Sequence, residues 1–298
     1  MRSKIVTPTL TIFNEDYTIN EDGNKKLIKY LIENGVDGLA PLGSSGEFPF
    51  ISFEEKKKLI DLYAKEVNGK VQLIVGTSSM NFKETVELSN FAYEKGANGV
   101  LVIPPYYFGM SQEEGFHFYD ELAKKTKANI YIYNFEARSG FNISADNVVK
   151  LIKKHKNIVG LKDSTGDANH TKEVIYKALN VKEDFEVYSG FDEHFLINTI
   201  AGGSGCISAI SNILPKYWSE LIKVTNERNC EAAFTKMREI DKLMELYSID
   251  SNFSLLFKKI LNDKVFKCNT YTFFPFENLE ENKYKKALEI LKDLNLLK

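Results

Sequence analysis

Short apolar runs alternate with amphipathic stretches along most of this chain, and that alternation limits the fold more than any other feature. The apolar runs span residues 5–11, 36–41, 71–75, 99–103, 130–134, 158–162, 185–189 and 205–208. They are too short for helices and apolar on both faces, as strands of a covered parallel sheet are. Helical patterns fill the gaps. One covers 24–34 and closes on Gly35; another is opened by Ser52, with Glu55 completing a capping box, and runs to about Val67. Asn81 opens a helix that stops at Gly96, a further helix covers 111–125, Ser144 caps one ending near His155, and the last two cover 168–178 and 192–201. Eight strand–helix units of roughly 25–30 residues describe an α/β protein of the (β/α)8 TIM barrel kind. A doubly wound sheet would need a glycine-rich turn after the first strand, and none is present. Past Pro215 only helical patterns remain, at 216–226, 229–247, 252–262 and 282–296. The first packs as the last barrel helix. The expectation is a barrel over 1–225 and a C-terminal helical extension over 226–298, forming one structural unit.

Bulk properties narrow the function. The 298 residues carry a formal net charge of −2, which leaves no electrostatic footprint for nucleic acid or an anionic membrane. Cys206, Cys230 and Cys268 are odd in number and form no CxxC pair; His117, His155, His170 and His194 lack ligand spacing. Neither a disulfide framework nor a metal centre is expected. No long apolar segment follows the N-terminus, so the expected location is the cytoplasm.

A barrel carries its chemistry on the loops that leave the C-terminal strand ends. Lys162 ends the 158–162 run, where an ammonium is costly unless paired or used. Burial lowers a lysine's pKa, and a neutral amine attacks carbonyls. The alternative is a strand-end lysine in a salt bridge. After strand two, Gly43-Ser44-Ser45-Gly46-Glu47 offers an anion nest, or else a tight solvent turn. After strand four, Pro104-Pro105-Tyr106-Tyr107 aims two phenols at the rim, or packs them under a neighbouring subunit or helix. Tyr133 ends the strand beside that of Lys162 and can relay protons. Arg138 offers a fork for a carboxylate, or a salt bridge to Glu136. After strand seven, Gly190-Phe191-Asp192-Glu193 presents two carboxylates for substrate hydroxyls, or an acidic turn that suits a helix dipole. Ser208 can face the mouth, and Cys206 reads as a small buried residue. Together these groups suit a 2-keto acid.

The motifs GSSGE, PPYY, YNFEARSG, GLKDS, SGFDE and GGSGCIS, in this order, resemble the pyruvate-dependent class I aldolases. That group contains dihydrodipicolinate synthase, N-acetylneuraminate lyase and 2-keto-3-deoxygluconate aldolase. The resemblance covers nearly the whole chain. It implies that Lys162 forms an imine with pyruvate and that Tyr133 shuttles protons. It implies that Ser44 and Ser45, with Gly43, hold the pyruvate carboxylate. Ser44 would also link Tyr133 to Tyr107 arriving from a neighbouring subunit, within a homotetramer built as a dimer of dimers. Ile207 would contribute a backbone contact. No cofactor is implied beyond the covalent imine at Lys162.

The resemblance divides over the second substrate. Arg138 matches the arginine that binds the carboxylate of aspartate semialdehyde in the synthase branch. Gly190, Asp192 and Glu193 are similar to the lyase branch, where such a pair holds sugar hydroxyls. Two departures weaken the synthase match: Glu136 replaces a proline, and Ile249-Asp250-Ser251-Asn252-Phe253 lacks the usual Asn-Pro pair. The expectation is reversible cleavage of a 2-keto-3-deoxy sugar acid, with the synthase reaction as the alternative.

Overall fold

The computed structural model describes residues 2–297. Met1 and Lys298, the outer limits of the expected barrel and extension, lie outside the described residues. Strands β1 (Lys4–Thr7), β2 (Gly38–Leu39), β3 (Gln72–Gly76), β4 (Gly99–Val102), β5 (Ile130–Asn134), β6 (Ile158–Asp163), β7 (Glu186–Ser189) and β8 (Gly205–Ile207) follow one another round a closed barrel. The registered pairs are parallel. The fold is the (β/α)8 barrel that the alternation implies.

Several strands are shorter than their apolar runs. β1 stops at Thr7 because Pro8 has no N–H to donate. The apolar run continues as buried irregular chain, in which Thr9 accepts a hydrogen bond from Tyr63 Oη at 2.8 Å and Thr11 donates to Gly46 O at 2.8 Å. The barrel closes where the Lys4 N–H donates to Ser204 O and the Ser208 N–H to Val6 O, at 2.9 and 3.2 Å. Gly205 makes the first contact possible. Its φ is +124°, and a Cβ there would lie 2.0 Å from the Lys4 carbonyl oxygen.

The helices are α1 (Glu21–Glu33), α2 (Phe53–Val67), α3 (Phe82–Glu94), α4 (Gln112–Lys125), α5 (Glu136–Ser139), α6 (Ala145–Lys154), α7 (Ala168–Leu179), α8 (Phe195–Ile200), α9 (Pro215–Asn226), α10 (Cys230–Leu243), α11 (Phe253–Lys264) and α12 (Glu281–Asp293). Ser52, Asn81, Ser111, Ser144, Asp167 and Asn252 each cap a helix through a side-chain oxygen that accepts a backbone N–H. The full capping box forms at Ser111 with Glu114. Glu55 instead accepts from the Ile19 N–H at 2.8 Å. A single turn, α5, occupies the stretch read as open loop after strand five.

Two compact units make up the chain: Met1–Lys4 with Gln72–Ile207, and Ile5–Val71 with Ser208–Lys298. The first unit holds a polar layer built from alternate strands, as barrel interiors are. Lys4 of β1, Gln72 of β3, Tyr131 of β5 and Glu186 of β7 meet there. Lys4 Nζ lies 2.5 Å from Glu186 Oε1, and Tyr131 donates to Glu186 Oε2. Gln72 Nε2 donates to the Tyr131 phenol at 2.9 Å and to Glu186 Oε2 at 3.2 Å. Burial works against the Glu186 charge, but these donors outweigh it and hold the carboxyl below its ordinary value. Burial and the Glu186 charge push the Tyr131 phenol far up, so it stays a donor. Glu186→Ala should cost about 2–3 kcal/mol in urea unfolding at pH 7, because it removes the acceptor of four donors, the Tyr188 phenol among them at 3.1 Å. A depressed carboxylate stabilises above its unfolded pKa and stops doing so as pH falls through the folded one. The gap between wild type and variant should therefore close under acid.

Candidate active site

β5 and β6 pair in register, with Tyr133 opposite Lys162 and Asn134 opposite Asp163. Side chains alternate along a strand, so Tyr133 and Lys162 share one face. Lys162 is 5% exposed. Its Nζ donates to Tyr133 Oη at 3.3 Å and sits 4.4 Å from that ring's centroid. No carboxylate pairs with Lys162 among the described residues, so the salt-bridge alternative finds no partner. A buried amine beside a phenol, with no counter-ion, is arranged for attack and proton relay.

The residue behind Lys162 escaped the sequence reading. Asp163 is 1% exposed and accepts three side-chain hydrogen bonds. Asn134 Nδ2 donates to its Oδ1 at 2.7 Å, Thr171 Oγ1 to its Oδ2 at 2.6 Å, and His170 Nδ1 lies 2.9 Å from Oδ2. The available signal was the Asp167 cap, which places His170 and Thr171 in the first turns of α7, close after the strand they face.

Gly190 leaves β7 with no room for a side chain. A Cβ there would lie 1.9 Å from Ser164 Oγ, and the Gly190 N–H donates to Asp163 O at 2.7 Å. Asp192 and Glu193 follow in a 3-10 turn, Asp192–His194. Asp192 is buried. Glu193 Oε2 is also buried, and it has no hydrogen-bond partner among the described residues. Burial, reinforced by the Asp192 charge, pushes the Cys206 thiol well above its ordinary value. It stays a thiol, in keeping with a small buried residue.

In the second unit, Ser44–Gly46 form a 3-10 turn after β2. The turn uses the Gly46, Glu47 and Phe48 N–H groups internally, on Gly43 and Ser44 carbonyls. The left-handed positions are Leu42 and Glu47, at φ 60° and 58°, rather than the two glycines that suggested a nest. Gly43 is extended. Gly46 is needed for space, since a Cβ would lie 3.0 Å from Thr11 Oγ1 and Thr9 O. The turn is fixed from α11. Ser254 Oγ donates to Ser45 O at 3.0 Å, and Lys258 Nζ, fully buried, pairs with Glu47 Oε2 at 2.7 Å. Asn252 and Thr272 donate to Glu47 Oε1, and Lys258 also donates to Tyr271 O at 2.9 Å. Burial lowers the Lys258 pKa against the pull of Glu47.

Other expected residues lie at strand ends or on the surface. Tyr107 is 80% exposed and meets Phe108 edge-on at 5.0 Å between centroids. Arg138 is exposed on α5, its guanidinium 5.5 Å from the Phe135 ring centroid, and makes no ion pair with Glu136. Ile207 is buried at the end of β8, and Ser208 is buried beyond it. Among the described residues, no group of three or more His, Cys, Asp and Glu is arranged to hold a metal ion, and no helix is long and apolar enough to cross a membrane. Lys258→Met should leave Glu47 buried without its counter-ion and cost about 3–5 kcal/mol in urea unfolding.

Residues 1–294 match the dihydrodipicolinate synthetase family. The putative 2-dehydro-3-deoxy-D-gluconate aldolase YagE of Escherichia coli K12 is 30% identical over 292 residues, 98% of this chain and 97% of its own. The 4-hydroxy-tetrahydrodipicolinate synthase of Kosmotoga olearia is 33% identical over 234 residues, 78% of this chain and 79% of its own. The crystal structure of YagE in complex with pyruvate superposes with a TM-score of 0.94 at 29% identity, covering 99% of each chain. That of dihydrodipicolinate synthase from Thermotoga maritima superposes with a TM-score of 0.93 at 29% identity, covering 100% of each. The chain therefore belongs to the dihydrodipicolinate synthetase family.

Proposed function

We propose that this protein is a lysine Schiff-base lyase that reversibly joins pyruvate to an aldehyde, and that its preferred reaction is cleavage of a 2-keto-3-deoxy sugar acid. Lys162 Nζ attacks the C2 carbonyl, and water leaves to give a protonated imine. Tyr133 carries protons during that dehydration and accepts the proton of the C4 hydroxyl. The C3–C4 bond then breaks, its electrons move to the imine nitrogen, and an aldehyde departs. Protonation of the enamine and hydrolysis release pyruvate and restore the amine. The imine nitrogen is the electron sink, so this sequence calls for no metal or diffusible cofactor.

Ser45, Gly43 and the Ser44 hydroxyl receive the substrate carboxylate, and Ile207 and Ser208 line the keto-acid portion. The 80% exposure of Tyr107 supports a role across an interface, in a homotetramer of paired dimers working in the cytoplasm.

The observation that carries the substrate assignment is Glu193 Oε2, buried without a donor next to buried Asp192. An unsatisfied buried carboxylate oxygen costs about 1–3 kcal/mol. Sugar hydroxyls supply the missing donors. The carboxylate of aspartate semialdehyde would be repelled there. One observation favours the synthase reading: Arg138 is exposed and has no acidic partner among the described residues, which leaves its fork open to an acidic aldehyde.

Turnover of 2-keto-3-deoxygluconate, N-acetylneuraminate and aspartate semialdehyde with pyruvate, measured side by side, separates the readings. Glu193→Gln should lower kcat/KM for the sugar acid by about 10- to 100-fold and leave pyruvate imine formation intact. Arg138→Ala should change sugar-acid cleavage by less than about threefold. Preference for the semialdehyde, abolished by Arg138→Ala, would establish the synthase reaction instead.

A further inference from the structure

Asp163 and His170 stand behind the reacting pair and have no part in the chemistry proposed above. Their geometry is nevertheless unusually restrictive. Both ring nitrogens of His170 face acceptors: Nδ1 lies 2.9 Å from Asp163 Oδ2, and Nε2 lies 2.8 Å from the Ile143 carbonyl oxygen. A neutral imidazole has one N–H and would turn a lone pair on one of these oxygens. The carbonyl has no proton to give, so Nε2 must carry one. Asp163 already accepts from Asn134 at Oδ1 and from Thr171 at Oδ2, at 2.7 and 2.6 Å, so both of its oxygens are engaged as acceptors. Nδ1 must therefore carry the other proton. The contacts are satisfied together only by an imidazolium.

The surroundings agree with that assignment. The His170 side chain is 12% exposed, and burial opposes its charge. The positive N-terminal end of α7 opposes it as well. In favour stand the hydrogen bond and charge of Asp163 from β6, the Ile143 carbonyl ahead of α6, and Glu173 one turn along α7. Glu173 is shared with Lys177, which also pairs with Asp146 of α6. The balance leaves the ring above its ordinary value of 6.5.

What the imidazolium holds is the register of the catalytic strands. Asp163 follows Lys162, Asn134 follows Tyr133, and the two polar side chains bond to each other across β5 and β6. Asn134 also donates to Asn142 Oδ1 at 2.8 Å and accepts from the Ile143 N–H at 3.1 Å. His170 reaches both ends of this arrangement, through Asp163 and through the Ile143 carbonyl. We propose that His170, as a doubly donating imidazolium, is a positioning residue that locks Asp163 and Asn134 and so fixes the approach of Tyr133 to Lys162. The inference rests on Lys162 being the imine-forming amine. A ring whose folded pKa is raised completes the clamp below its ordinary pKa and releases it as pH rises through the folded value. Neutral His170 must give up either Asp163 or Ile143.

Nitrogen-15 NMR of histidine-labelled protein reads the ring directly, and His170→Gln assigns its signal among four histidines. The ring should titrate with a midpoint above 6.5, both nitrogens protonated below it, and kcat should fall on the alkaline side with that same midpoint. His170→Gln keeps one donor. It should lower kcat about tenfold or more, change KM less than about threefold, and lose the shared alkaline midpoint. Borohydride trapping of pyruvate on the variant should still label Lys162, which separates failure of this inference from failure of the amine's assignment. If His170→Gln does not fold, the coincidence of the two wild-type midpoints decides alone. A ring midpoint at or below 6.5, midpoints that differ, or a folded His170→Gln with wild-type kcat and pH profile would each overturn the proposal.

Discussion

Lys162 places an amine inside the protein, hydrogen-bonded to a phenol and matched by no carboxylate among the described residues. An ammonium in that position is expensive to keep, and the cost is tolerated where the amine is used. The neighbouring strand supplies Tyr133 by register alone, because parallel pairing sets residue against residue across β5 and β6. A shift of one residue in either strand would send one of the two to the other face. The chemistry therefore depends on strand register more than on any loop.

Polar anchoring guards that geometry in each unit. In one, Asp163 collects three side-chain donors behind the Lys162 strand, and Glu186 gathers lysine, tyrosine and glutamine at the strand starts. In the other, the buried Lys258–Glu47 pair and the Ser254–Ser45 bond tie the Ser44–Gly46 turn to α11. Such networks are costly when broken and are satisfied in one geometry, so they specify position. The C-terminal helices thus contribute more than cover, since α11 carries two of the residues that hold the turn.

Much of the frame was legible because short-range rules decide it. β5 occupies 130–134 as its apolar run indicates, and Ser52, Asn81 and Ser144 cap the helices they precede. Lys162 and Tyr133 were visible because they end neighbouring strands on the barrel rim beside other polar groups; position alone left a salt-bridged lysine as the commoner reading. The supporting residues were hidden for a physical reason. Lys258 lies far from Glu47 along the chain, and nothing local distinguishes it from the surface lysines of other helices. Gln72 and Glu186 each stand second in an apolar run and drew no separate reading, although the barrel interior claims them. The glycines of the Ser44–Gly46 turn suggested backbone freedom, whereas the left-handed positions fell to Leu42 and Glu47. Glu193 was one of two equivalent-looking carboxylates until burial without a donor set it apart.

The central claim is that one buried amine becomes covalently attached to a keto acid. Reduction of the protein with borohydride in the presence of pyruvate, followed by peptide mass mapping, tests it directly. A single stable adduct on the peptide carrying Lys162, lost in Lys162→Ala, is the predicted result. Labelling at another lysine, Lys258 included, or no pyruvate-dependent adduct in a folded and active protein, would contradict it.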